Sequence, residues 1–203
     1  MSTVLRPAAV IFLALSIITG ILYPLLITAV AQVAFPFQAN GSIIMEGDSA
    51  IGSALIGQEF SDPANFWGRL SATGPVPYSA FHAATLTGSS GSNLAQSNPQ
   101  TVVNAKARID ALRSAETSVG LERSPRPIPV DLITASGSGL DPHISEAAAE
   151  YQVARVAKAR GLTEESVRFL VQAHTRGRRW GIMGEPVVDV RALNRALPAS
   201  PHE

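Results

Sequence analysis

The sequence predicts an α+β protein in which one N-terminal transmembrane helix is followed by a mixed α/β extracytoplasmic domain. Three observations carry this. Residues 7–45 hold no charged side chain, although the 203-residue chain has 16 Lys+Arg and 16 Asp+Glu. Within that gap lies an apolar run longer than a small domain needs for a core helix. The remainder mixes strand-like and helix-like segments without the βα alternation of a parallel sheet.

The apolar run covers residues 8–34, with Gln32 as its one strongly polar member. It exceeds the roughly 20 residues that a helix rising ~1.5 Å per residue needs to cross ~30 Å of hydrocarbon. Ala29-Val30-Ala31 has the small-x-small form of a signal-peptide cleavage site, but the apolar stretch before it is longer than a signal h-region, which favours an uncleaved helix. Pro24 lies inside this helix, cannot donate to the carbonyl of Gly20, and is expected to kink it there. Ser16, Gly20, Tyr23, Ile27 and Ala31 recur at spacings of three and four. They give a face with small residues on which another helix could pack, although a lone anchor in lipid fits the same pattern.

Arg6 is the base nearest the span on its N-terminal side, whereas the first charges beyond it are Glu46 and Asp48 and the first base there is Arg69. The positive-inside rule then makes residues 1–7 a cytoplasmic N-terminus, 8–34 the transmembrane helix and 35–203 the extracytoplasmic domain.

About 160 residues follow the span, enough for a single domain with a real core. Residues 40–98 are rich in Gly, Ser, Asn, Thr and Pro, which favours short strands and structured loops; 89–98 reads either as a flexible linker or as a packed loop. Asn98 as N-cap and Pro99 at the first position begin a helix fading near 117–120, with Val102, Ala105, Ile109 and Leu112 on one face. Ser124-Pro-Arg-Pro-Ile-Pro129 is an extended connector. Residues 130–134 read as a short apolar strand and 135–143 as a loop. A second helix runs over 145–160, stopped by Gly161. A third begins at Thr163 with Glu164 and Glu165 in its first turn and places Val167, Leu170, Val171 and His174 on one stripe. Residues 187–190 read as a strand and 191–197 as a last short helix.

Composition narrows the function classes. Balanced charge excludes a basic coat for polyanions, and the absence of cysteine excludes a disulfide framework, a thiolate zinc cluster and a thiol nucleophile. Ser136-Gly-Ser-Gly139 suggests an anion loop, but no lysine follows as a Walker loop requires, and residue 136 is not the glycine of a nucleophile elbow. Asp141, His143 and Glu146 fit turn and cap chemistry better than a metal site, and His174 fits a satisfied histidine at the core rim. The second and third helices resemble a helix-turn-helix, with seven bases against two acids over 155–179. An exported domain has no access to DNA, so no nucleic-acid partner is expected, and the stretch is read as a locally basic surface. A membrane-anchored exported hydrolase or binding module is the alternative class, although no nucleophile, base and orienting group are arranged in a recognisable order.

The stretch Val130-Asp-Leu-Ile-Thr-Ala-Ser-Gly-Ser-Gly-Leu-Asp-Pro-His-Ile-Ser145 resembles the KdpC family, accessory subunits of the Kdp potassium-transporting P-type ATPase. The resemblance extends over nearly the whole chain: Thr19-Gly-Ile-Leu-Tyr-Pro24, Gln38-Ala-Asn-Gly-Ser42, Ile56-Gly-Gln-Glu-Phe60, Ser90-Gly-Ser-Asn-Leu94, Ser97-Asn-Pro99, Gln152-Val-Ala-Arg-Val-Ala157, Ala159-Arg-Gly-Leu162 and Gly184-Glu-Pro186. Departures are local. Arg69-Leu-Ser-Ala72 stands where the family usually has Arg-Pro-Ser-Ala, Asp189-Val190 where Asn-Val is frequent, and Arg176-Gly-Arg-Arg-Trp180 is unusually basic.

This resemblance implies a non-catalytic subunit of the inner membrane, single-pass, with its main domain on the periplasmic side. Its implied partners are a channel-like potassium-binding subunit, a P-type ATP-hydrolysing subunit and a small membrane subunit, besides membrane lipid. It further implies a catalytic chaperone that raises the ATP affinity of the hydrolysing subunit. The resemblance also implies no tightly bound cofactor, and that ATP could be met only through a ternary complex with that subunit. Gln152 is the position matched to the family's nucleotide-contacting glutamine. Ser16, Gly20, Tyr23 and Pro24 are the candidates for membrane-helix packing.

Overall fold

The computed structural model describes residues 2–122 and 124–199, so the extreme ends of the predicted 1–7 and 35–203 segments lie outside the described residues. It is a mixed α/β structure with an N-terminal apolar helix, and it divides into two compact units, one ending at Leu55 and one beginning at Ile56.

In the first unit, α1 (Ser2–Ile17) and α2 (Tyr23–Ala34) are joined through a π-helical turn, Ile18–Leu22. The stretch Thr3–Ala34, 32 residues, is long and apolar enough to cross a membrane, and its most apolar window has no buried residue. The helix starts before the expected residue 8 and includes Pro7. A proline this close to a helix start removes one bond, to the carbonyl four residues back, and does not stop it.

At Pro24, where a kink was expected, the helix widens into a π turn, itself a common site of helix bending. The Tyr23 N–H reaches five residues back to the Ile18 carbonyl, and Leu22 and Tyr23 keep helical dihedrals. A widened turn directly before the proline takes up the missing donor. Thr19 Oγ1 also donates to the Leu15 carbonyl at 2.7 Å. The π turn takes up one residue more than an α turn, which shifts the phase of Ser16 relative to Tyr23, Ile27 and Ala31.

At the far end Gln32 is matched rather than stranded. Its amide pairs with that of Asn40 (3.0 and 3.3 Å), and Asn40 also donates to the Pro36 carbonyl at 2.7 Å, across the one-turn helix α3 (Pro36–Ala39). An antiparallel hairpin of β1 (Ile43–Glu46) and β2 (Ser49–Ser53) completes this unit.

The second unit opens with loops that contain only the two-residue ladder β3 (Phe81–His82) and β4 (Thr87–Gly88). Then follow α4 (Pro99–Ser118), α5 (Val130–Ile133), β5 (His143–Ser145), α6 (Glu146–Arg160), α7 (Glu164–Ala173), β6 (Thr175–Arg176), β7 (Val187–Asp189) and α8 (Val190–Ala196). The last three strands form an antiparallel sheet in the order β5-β7-β6. The helices begin where side-chain oxygens can take the orphan N–H groups. Asn98 accepts from Gln100 N–H, Ser145 from Ala148 N–H, Thr163 from Ser166 N–H and Asp189 from Ala192 N–H. Gly161, at φ +67°, ends α6 in the left-handed conformation a Cβ disfavours.

Two local expectations are corrected. Residues 130–133 form a helical turn rather than a strand: it places Leu132 in the core, and Thr134 Oγ1 closes it on the Val130 carbonyl at 2.8 Å. In α4 the stripe does not run the full length. Leu112 and Ala115 are buried, whereas Val102 is exposed, because the core lies under the C-terminal half only.

That core joins Leu112, Leu132, Ile144, Val153, Val156, Val167, Val188 and Leu193 around Phe66, which is fully buried. The glycine-rich loops are part of the packing. Ser90 N–H and Ser89 Oγ both donate to the Ser138 carbonyl at 3.0 Å. A Cβ on Gly91 would stand 2.7 Å from the Gly137 oxygen, and one on Gly139 would stand 2.6 Å from the Ser90 oxygen. The start of segment 89–98 is therefore packed rather than a free linker, and Gly139 of Ser136-Gly-Ser-Gly139 serves close backbone approach.

Candidate functional site

Three buried polar side chains, Gln152, Arg155 and Asn194, converge on one loop, residues 62–68. Gln152, 1 % exposed on α6, accepts from the Trp67 N–H at 2.8 Å and donates to the Trp67 carbonyl at 3.1 Å and the Ala148 carbonyl at 3.2 Å. Asn194 on α8 repeats the device one residue earlier: it accepts from the Phe66 N–H at 2.7 Å and donates to the Phe66 carbonyl at 2.9 Å. Two carboxamides thus replace the partner strand this loop lacks.

Three arginines complete the grip. Arg155 donates to the carbonyls of Pro63 and Asn65 and to Gln152 Oε1, the last at 2.6 Å. Arg160 donates to the Ala64 carbonyl at 2.7 Å, to Asn65 Oδ1 and to the Pro198 carbonyl. Arg108 donates to the carbonyls of Leu132 and Gly68. The guanidiniums of Arg108 and Arg155 stand 4.8 and 5.1 Å from the centre of the Trp67 ring, a double cation–π arrangement. Burial pulls the Arg155 guanidinium down to about 10, still charged at neutral pH.

Gln152, matched in sequence to a nucleotide-contacting position, is therefore interior, and both ends of its amide are engaged. A nucleotide could meet it only after this part of the domain opened. The basic stretch is also largely consumed internally. Besides Arg155 and Arg160, Arg168 pairs with Glu150 and Glu164, Arg176 with Asp189 and Arg178 with Glu185. The bases of the expected basic surface over 155–179 are thus mostly bonded within the fold, some to local partners such as Glu164 and Glu185, others to distant backbone, as for Arg155 and Arg160. Val167 and Val171 bury one face of α7 against the core.

The motif segment beyond Ser138 lines a separate cleft of about 330 Å³ with Arg69, Asp131, Asp141, His143 and Glu185 among its walls. Its carboxylates have structural duties. Asp141 Oδ1 accepts from the His143 N–H at 3.0 Å and lies 3.3 Å from His143 Nδ1, while Oδ2 pairs with Arg69 Nη1 at 3.2 Å. Burial pushes the Asp141 carboxyl upward, but the His143 side chain, the His143 N–H and the Arg69 charge outweigh it and hold the group below its ordinary 3.8. Asp131 Oδ2 accepts from the Ser145 N–H at 2.8 Å. His143 Nε2, the atom that would face a nucleophile in a hydrolase, is buried without a hydrogen-bond partner. Among the described residues no group of three or more His, Asp and Glu is arranged to hold a metal. His174 Nδ1 is 2.8 Å from the Leu170 carbonyl, as expected for a satisfied rim histidine.

Sequence reasoning singled out Gln152 and the Asp141–His143 motif but missed Asn194, Arg108 and Trp67 as parts of one assembly. A carboxamide on an otherwise apolar helical face was the available signal for Gln152 and Asn194. The membrane candidates Ser16, Gly20, Tyr23 and Pro24 lie exposed on the anchor helix around the π turn.

Comparison with known proteins agrees with this layout. The family model described as KdpC: K+-transporting ATPase, c chain, matches residues 5–199. A potassium-transporting ATPase KdpC subunit of Burkholderia vietnamiensis is 54% identical over 200 residues, 98% of each chain. One from Sorangium cellulosum is 54% identical over 193 residues, 95% of this chain and 96% of its own. One from Burkholderia orbicola is 52% identical over 200 residues, again 98% of each chain. With a match that runs from the N-terminal apolar helix through α8, the chain belongs to the KdpC family, the c chains of K+-transporting ATPases.

Proposed function

We propose that the chain is the non-catalytic accessory subunit of a high-affinity, ATP-driven potassium uptake system. It would be anchored once in the inner membrane, with a cytoplasmic N-terminus and the second unit on the periplasmic side. The observation that carries this is the family match over residues 5–199, which includes the apolar helix and the folded domain alike. The lone Arg6 before the span supports the orientation.

Its partners are the channel-like potassium-binding subunit, the P-type ATP-hydrolysing subunit and the small membrane subunit. The anchor packs on the potassium-binding subunit through the small residues around its π turn, Ser16 and Gly20 beside Tyr23 and Pro24. The outer domain covers or steadies the entrance of that subunit. As a catalytic chaperone it raises the ATP affinity of the hydrolysing subunit by coupling between distant sites, a free-energy relation that needs no contact with the nucleotide. The engagement of Gln152 with Trp67 and Arg155 supports coupling over direct contact.

Purification in mild detergent tests the assembly: this chain should bring down two large membrane subunits, and recovery of the chain alone would refute the reading. Gly20→Leu should weaken that recovery. In the purified complex, omission of the chain should raise the KM for ATP several-fold. An ATP photoprobe that labels the isolated chain, with labelling lost in Gln152→Ala, would replace coupling by direct binding.

A further inference from the structure

The connection between β6 and β7 has no place in the function above. Residues 176–185 are all exposed. Trp180 is 85% exposed, Ile182 77% and Met183 55%, so three large apolar side chains occupy four consecutive positions. Single exposed apolar residues are ordinary, whereas a cluster on a projecting turn marks a contact surface. The contrast with Trp67, the other tryptophan, is sharp: it is 5% exposed and enclosed by two guanidiniums.

This tip is built. Arg179 N–H donates to the Met183 carbonyl at 2.8 Å and Met183 N–H returns to the Arg179 carbonyl at 3.0 Å; Gly181 and Ile182 close the turn on Arg178 and Arg179, both at 3.2 Å. Trp180 and Gly181 both lie at positive φ, +52° and +75°. A left-handed backbone is unfavourable for a bulky aromatic residue, so the turn holds the indole outward against its own preference. Arg178 and Arg176 flank the tip, paired with Glu185 and Asp189. Arg179, next in sequence to Trp180, is exposed and has no ion pair among the described residues.

We propose that this tip is a second membrane contact. Trp180, Ile182 and Met183 enter the boundary between headgroups and acyl chains of an anionic bilayer, and Arg179 binds lipid phosphate. Tryptophan favours this boundary because its ring is apolar and its N–H needs a polar partner. A guanidinium matches phosphate oxygens with paired donors. The excess of arginine over carboxylate in the tip complements anionic headgroups. A bilayer is favoured over a protein groove because the chain's own span keeps lipid at high effective concentration. The inference therefore rests on the membrane-anchored reading.

The test uses the full chain in lipid nanodiscs whose acyl chains carry bromine, a short-range quencher of tryptophan emission, with and without phosphatidylglycerol. The anchor contains no tryptophan, so a lipid signal cannot come from the span. Quenching is expected in anionic discs, lost in Trp180→Phe, and reduced by Arg179→Gln or added salt. Absence of quenching in a chain that stays in the discs overturns the tip contact and leaves the anchor intact. A chain released by alkaline carbonate overturns the anchor instead. Trp180 shielded from acrylamide only when the other Kdp subunits are present would identify a protein groove and overturn the lipid assignment.

Discussion

Gln152 and Asn194 each hold one loop residue by donating to its carbonyl and accepting from its N–H, so their loss is felt twice. Gln152→Ala would leave the buried N–H and carbonyl of Trp67 without partners, at about 1–3 kcal/mol for each such group. The expected loss is about 2–4 kcal/mol, read from urea unfolding of the full chain in detergent. Gln100→Ala, which removes only the exposed bond to Asn104, should change stability by about 0.5 kcal/mol or less. Asp141 gives a pH-dependent counterpart. Its folded pKa lies below the ordinary 3.8, so the stability it contributes is present above that value and is lost as pH falls through the folded one. Asp141→Asn should flatten the acid limb of the stability–pH curve; a limb of unchanged slope would show that Arg69 and His143 do not stabilise this carboxylate.

Elements with strong local chemistry were legible before any tertiary structure. Asn98 caps the helix it was expected to cap, the next two helices start at Ser145 and Thr163 as expected, and Gly161 ends α6, because helix ends depend on residues within one turn. The misreadings have the same origin in reverse. Residues 130–133 are rich in β-favouring Val and Ile, but four residues are too few for periodicity, and the position of Leu132 against the core decides the helical turn. Likewise the α4 stripe is periodic while only its C-terminal half meets a neighbour. Leu112→Ala should therefore cost about 2–5 kcal/mol, whereas Val102→Ala should stay within about 0.5 kcal/mol. Equal losses measured at the two positions would mean that the N-terminal half of α4 is packed in the native protein.

At the scale of the molecule, charge placement and hydropathy by themselves determined the long apolar helix, because a span of that length depends only on consecutive side chains. The α+β class was legible in the same way, and the motifs pointed to the family. What only tertiary structure decided is the use of the polar residues. Arg108, Arg155 and Arg160 bind backbone carbonyls tens of residues away, and every residue carries the same carbonyl, so no sequence pattern marks those acceptors. For that reason Arg155 and Arg160, which read as part of a basic surface, instead hold the loop at residues 63–65 from within the fold. Gly139 of Ser136-Gly-Ser-Gly139, a segment that suggests an anion loop, lets the Ser90 carbonyl approach within a distance that a Cβ would block.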